Sequence, residues 1–103
     1  MIAGITENPL NQVILMGTLA RDPQMGYLPN QTAATRLGVI VEDAVFECCA
    51  FGRQAEVLSQ WLHKDSNVLV DGRLQTQRWE IAAGVMHEDL RVVVNHVQFL
   101  RDE

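Results

Sequence analysis

The stretch AATRLGVIVEDAVFECCAFGRQAEVLSQWLHKDSNVLVDGRLQTQRW, Ala33 to Trp79, decides the fold. It opens with two β-branched, apolar runs, Ala33–Val41 and Ala44–Phe51, joined by only Glu42-Asp43, which predicts two antiparallel strands and a tight turn. Gly52 ends the second run. The pattern then changes period: in Arg53–Lys64, Ala55, Leu58, Trp61 and Leu62 recur at helical spacing among good helix formers. Asp65-Ser66-Asn67 closes that helix, and Asn67–Trp79 reads as a long strand bent at Gly72, as strands bend at barrel corners.

Outward from this centre the pattern stays β. Upstream, Asn11–Ala20 (NQVILMGTLA) reads as a first strand with a bend at Gly17. It is followed by a turn-rich segment carrying Asp22-Pro23 and Pro29-Asn30. Downstream, Glu80–His87 reads as a hairpin loop around Gly84, and Glu88–Leu100 as the last strand. Residues 1–8 read as a loose arm. The expected order is β-β-β-α-β-β: an all-β, five-stranded OB-fold barrel with one helix between the third and fourth strands, in a single domain of residues 1–103.

Composition narrows the function. Eight Lys and Arg against thirteen Asp and Glu leave a net charge of −5, which excludes a uniformly basic nucleic-acid binder but not a local basic patch. No apolar run approaches the roughly 18 residues of a membrane span. The N-terminal stretch lacks the charged and apolar regions of a secretory signal. A cytoplasmic protein without a membrane partner is expected. The adjacent Cys48 and Cys49 point to opposite faces of a strand, so they read as reduced core residues, neither disulfide nor zinc site. No nucleotide-binding or hydrolase motif occurs, and His63, His87 and His96 are scattered. Neither an enzyme nor a metal or other cofactor is expected.

The residues that could bind something are aromatic and basic. Trp79 follows Arg78, and Phe51 precedes Gly52-Arg53. An exposed ring beside an arginine suits base stacking with phosphate contacts, while packing at the core or barrel rim suits the same rings equally well. Tyr27 is open to either reading. Trp61 and Phe99 read as packing residues.

Five motifs, in order, closely resemble the bacterial single-stranded DNA-binding protein family. They are Gly17-Thr18-Leu19-Ala20-Arg21-Asp22-Pro23, Tyr27-Leu28-Pro29-Asn30, Phe51-Gly52-Arg53, Ala55-Glu56-Val57 and Gly72-Arg73-Leu74-Gln75-Thr76-Gln77-Arg78-Trp79. The resemblance spans about residues 11–99. It implies an OB-fold that binds single-stranded DNA in replication, recombination or repair, with Trp79 and Phe51 as stacking residues and Arg53 and Arg78 as basic contacts. Arg73, Tyr27 and Arg36 complete the candidate set. It also implies a homo-oligomer, a tetramer rather than a dimer, whose first strands pair through Gln12, Val13, Ile14, Leu15 and Met16. An unpaired apolar edge argues for that pairing too.

The chain departs from the family pattern at four places. Glu42-Asp43 replaces a long hairpin, Val45 stands for a stacking Trp, and Glu47 stands for a cation. With Arg101-Asp102-Glu103 as its last residues, the chain is expected to lack the family's linker and acidic tip. These departures and the acidic balance leave a second reading, a tail-less primosomal type of protein-interaction module on the same fold, with replication proteins as partners and weak DNA binding.

Overall fold

The computed structural model describes residues 9–100; the arm expected over residues 1–8 lies outside them. The order is β1 (Val13–Leu19), β2 (Gln24–Tyr27), β3 (Ala33–Val41), β4 (Ala44–Phe51), α1 (Gly52–Trp61), β5 (Asn67–Ala82) and β6 (Val85–Leu100). The chain is mostly β with one helix. No helix among the described residues is long and apolar enough to cross a membrane.

The pairings form a closed cycle. β1 pairs with β5 along Val13–Thr18, and its last two residues, Thr18 and Leu19, pair with Ile40 and Val39 of β3. β5 pairs with β6, β6 runs parallel to β4 through Val92 and Val93, and β4 returns to β3. Two glycines permit the close approaches this needs. A Cβ at Gly17 would collide with the Ile40 carbonyl oxygen, and one at Gly72 with the Val93 carbonyl oxygen. The ladder slips by a bulge at Asp71/Gly72, where β5 turns.

Alternation fills the inside. Leu37 and Val39, Cys48 and Ala50, Val68 and Val70, and Val92 and Val94 point to one core, with Leu19 beside them. The helix adds Leu58 and Leu62. Each fully buried Leu or Val contributes about 1.5–3 kcal/mol of transfer free energy. The buried Thr35 hydroxyl donates to the Gln24 carbonyl and accepts from Ser59 Oγ at 3.1 Å, which ties β2, β3 and α1 together.

Four expectations need correction. Gln24–Tyr27 is a strand, so there are six strands among the described residues and the helix follows the fourth; it begins at Gly52, one residue before the expected start, and ends at Trp61 rather than Lys64. All four residues of β2 are exposed, so no alternation marks the strand. The region from Glu80 to His87 is not a loop: β5 and β6 run through it, leaving only Ala83 and Gly84, with Gly84 at φ +76°. Both faces of this hairpin are solvated, which erases the inside–outside signal. Trp61 is 64% exposed, because the buried stripe runs through Ala55, Leu58 and Leu62 and leaves Trp61 on the far flank of Leu58. Phe99, expected to pack, is also exposed.

Cys48 is fully buried, and burial, followed by the neighbouring Cys49 and Glu47, pushes its thiol up to about 12 from an ordinary 9.0. The folded state therefore holds this proton more tightly than the unfolded chain. The stabilisation is complete below pH 9 and is lost as pH rises towards 12, by about 1.4 kcal/mol per unit. Denaturant midpoints should fall between pH 9 and 10.5 in the parent, and fall less in Cys48→Ala; equal slopes would contradict the assignment.

Candidate nucleic-acid interface

The face of the sheet turned away from the core carries the candidate site. Across β3, β4, β6 and β5 the registers place Arg36 beside Cys49, Cys49 beside Val93, and Val93 beside Arg73. Alternation then puts Arg73, Gln75, Gln77 and Trp79 on one face of β5, and Leu74, Thr76 and Arg78 on the other. A groove of about 610 Å³ runs over this region. Phe51 and Trp79 line it, together with Arg36, Glu47, Cys49, Gln77 and Arg91. A smaller depression of about 330 Å³, lined by Tyr27, shares Leu28, Ala34 and Arg36 with the groove and extends its path.

Both rings are available at the groove. Phe51 is half-buried at the end of β4, where the backbone leaves for the helix. Trp79 is 40% exposed and lies 4.7 Å from the His87 ring across the hairpin, tilted by 52°. His87 in turn lies 3.4 Å from Asp89.

The cations divide by their partners. Arg91 donates from Nε and Nη2 to Gln75 Oε1 at 3.0 and 2.8 Å, and its Nη1 lies 3.8 Å from Cys49 Sγ. Among the described residues it has no carboxylate within ion-pair distance. Arg36 lies 3.7 Å from Glu47, which Arg21 also grips. Arg78 points to the opposite face and is ion-paired with Glu88. Arg53 is exposed at the start of α1, outside the groove lining, and Arg73 is exposed on the Trp79 face below it. Among the described residues no three His, Cys, Asp or Glu side chains converge to hold a metal ion.

The structure thus gathers Trp79, Phe51 and Arg36, with Tyr27 adjoining, and leaves Arg78 and Arg53 aside. Arg91 went unnoticed in the sequence because its place in the groove lining depends on the hairpin register. Gly84 marks the turn, but counting back from it sets Trp79 against Glu88 and Gln75 against Val92; a bulge at Glu80/Ala82 shifts these partners to His87 and Arg91, and no sequence signal announces that bulge.

The described residues thus form a closed cycle of strands with one helix and a groove on the outer face lined by Phe51 and Trp79. Residues 10–100 match the single-strand binding protein family, and the chain belongs to that family. It is 36% identical over 102 residues to a single-stranded DNA-binding protein of Oceanobacillus iheyensis, covering 88% of this chain and 63% of that protein. Single-stranded DNA-binding proteins of Wolinella succinogenes and Helicobacter hepaticus are each 31% identical over 103 residues, covering 87% of this chain and 64% and 61% of theirs. The chain therefore spans somewhat less than two thirds of the length of these relatives.

Proposed function

We propose that this chain binds single-stranded DNA along the groove from Trp79 through Phe51 and Arg36 to Tyr27, and that it acts without catalysis in the cytoplasmic handling of DNA during replication, recombination or repair. We read the closed strand cycle as an OB barrel. The observation that carries the reading is the pair of partly exposed rings lining one groove with two arginines. Stacking needs a π-face and no particular base, and guanidinium groups neutralise the phosphates between bases. Arg91 enters the proposed contact set, and Arg73 extends it below the groove. Arg53 reaches a strand only where it leaves the groove. Arg78, which faces the other way and already has a carboxylate partner, is given up as a phosphate contact.

Assembly belongs to the same proposal. Val13–Met16 of β1 have β5 on one side and no described strand on the other, and Ile14 and Met16 are more than half exposed. Pairing these edges across a two-fold axis would use the free backbone groups of Gln12–Met16 and cover Ile14 and Met16. A dimer is the minimum, and a second interface would make a tetramer. A second reading, the primosomal type of interaction module with replication proteins as partners, draws on the net charge of −5 and on Glu47, which occupies a cation of the groove.

Three measurements test the proposal. Trp61 and Trp79 are both exposed, so quenching by oligo-dT should be read in Trp61→Phe. In that background Trp79→Ala should weaken binding by roughly 1–3 kcal/mol, measured by anisotropy of a labelled oligonucleotide; unchanged affinity would remove Trp79 from the site. Arg91→Ala should weaken binding and flatten the dependence of log affinity on log salt by about 0.7, whereas Arg78→Ala should leave that slope near the parent value. The reverse order would place the strand on the opposite face. Sedimentation at micromolar concentration should give a dimer or larger particle, and a stable monomer would count against edge pairing.

A further inference from the structure

Glu47 lines the groove and is gripped from one side by Arg21. Arg21 Nη2 and Nη1 donate to its two carboxylate oxygens at 2.9 and 3.2 Å, a bidentate pair. The Arg21 guanidinium has its place because residue 38 is glycine: a Cβ there would collide with Nη1. Arg21 Nε is buried and has no hydrogen-bond partner among the described residues, so this arginine has given up solvent to reach Glu47. The contact on the other side is different in kind. Arg36 meets the same Oε1 at 3.7 Å, beyond hydrogen-bond reach, and its side chain is 65% exposed. One carboxylate is thus fixed by a partly buried arginine and loosely neutralises a second arginine at the groove surface.

We propose that Glu47 sets the affinity of the groove by competing with the DNA phosphate for Arg36. The inference rests on the single-stranded DNA reading given above and goes beyond it by assigning an opposing residue to the site. A phosphate reaching Arg36 must draw the guanidinium from Glu47 and settle beside a carboxylate that Arg21 prevents from swinging away. Among the described residues the groove lining offers a strand one cation without a carboxylate partner, Arg91, and one, Arg36, that is already partly satisfied.

The test compares the parent, Glu47→Gln and Arg21→Gln/Glu47→Gln, each with and without Arg36→Ala. Binding to labelled oligo-dT is followed across a salt series. Glu47→Gln should bind roughly three- to tenfold more tightly at low salt, with a slope steeper by about 0.7 because Arg36 then neutralises one further phosphate. Arg36→Ala should cost more affinity in the Glu47→Gln background than in the parent, since the two residues are coupled. The double variant keeps the parent's net charge, removes the arginine that Glu47→Gln would strand, and should still bind more tightly; it decides the matter if the single variant folds poorly by near-ultraviolet circular dichroism. If the parent binds and neither variant binds more tightly, Glu47 does not compete for Arg36. Tighter binding with an unchanged Arg36→Ala cost would reduce the effect to net charge and also overturn the inference. If no chain binds oligo-dT at any salt, the DNA reading itself fails, and the competition falls with it.

Discussion

The parallel pairing of Cys48 and Cys49 with Val92 and Val93 closes the strand cycle, and the rest of the molecule depends on it. It joins residues more than forty positions apart, so its ordering entropy must be offset by what it encloses. Cys48 and Val92 turn inward and complete the apolar core, while Cys49 and Val93 turn outward and form part of the floor on which Arg36, Arg91 and Arg73 stand. Core and groove are two sides of the same two rungs. Gly17 and Gly72 serve this closure by letting β1 and β5 pass carbonyl groups that a side chain would strike. The raised thiol of Cys48 belongs to the same constraint, since the position that seals the core has no room for a charge.

The sequence was most legible where one face of an element is buried. The runs Ala33–Val41 and Ala44–Phe51, the stripe of Ala55, Leu58 and Leu62, and the first half of the long strand after Asn67 all carry a period because the core enforces one. It was least legible where both faces meet water. The strand Gln24–Tyr27 and the outer hairpin residues 76–90 have no inside to mark, so turn residues dominated the reading. The site follows the same division. Trp79 and Phe51 stood out as aromatic residues in recognisable motifs. Adjacency in sequence made Arg78 attractive beside Trp79, yet neighbours on a strand face opposite ways, and the arginines on the face of Trp79 are Arg73, on the same strand, and Arg91, twelve residues away and opposite Gln75.

A net charge of −5 on so small a chain gives no general attraction for a polyanion. For the proposed ligand, long-range steering would be weak, and binding would rest on short-range terms: ring faces at Phe51 and Trp79 and the few guanidinium groups aimed into the groove. The arrangement of partners then matters more than the number of arginines. Gln75 orients Arg91 without neutralising it, Glu88 withdraws Arg78, and Glu47 stands between Arg21 and Arg36.

The hairpin beyond Gly72 has few apolar contacts to hold it once its strands leave the core. Leu74, Ile81, Val85, Met86 and Leu90 are all exposed, and from Thr76 to Glu88 only cross-strand bonds and pairs such as Arg78–Glu88 and Trp79–His87 keep the ribbon together. Such a segment opens on its own, at a free energy well below that of global unfolding. Hydrogen-exchange protection would therefore fall off along β5, from the amides around Val68 and Val70 to those around Trp79. Trp79, the ring proposed to stack on a base, sits on this thinly anchored ribbon, so a strand that captured it would also restrain the ribbon, and part of its binding free energy would go into that ordering.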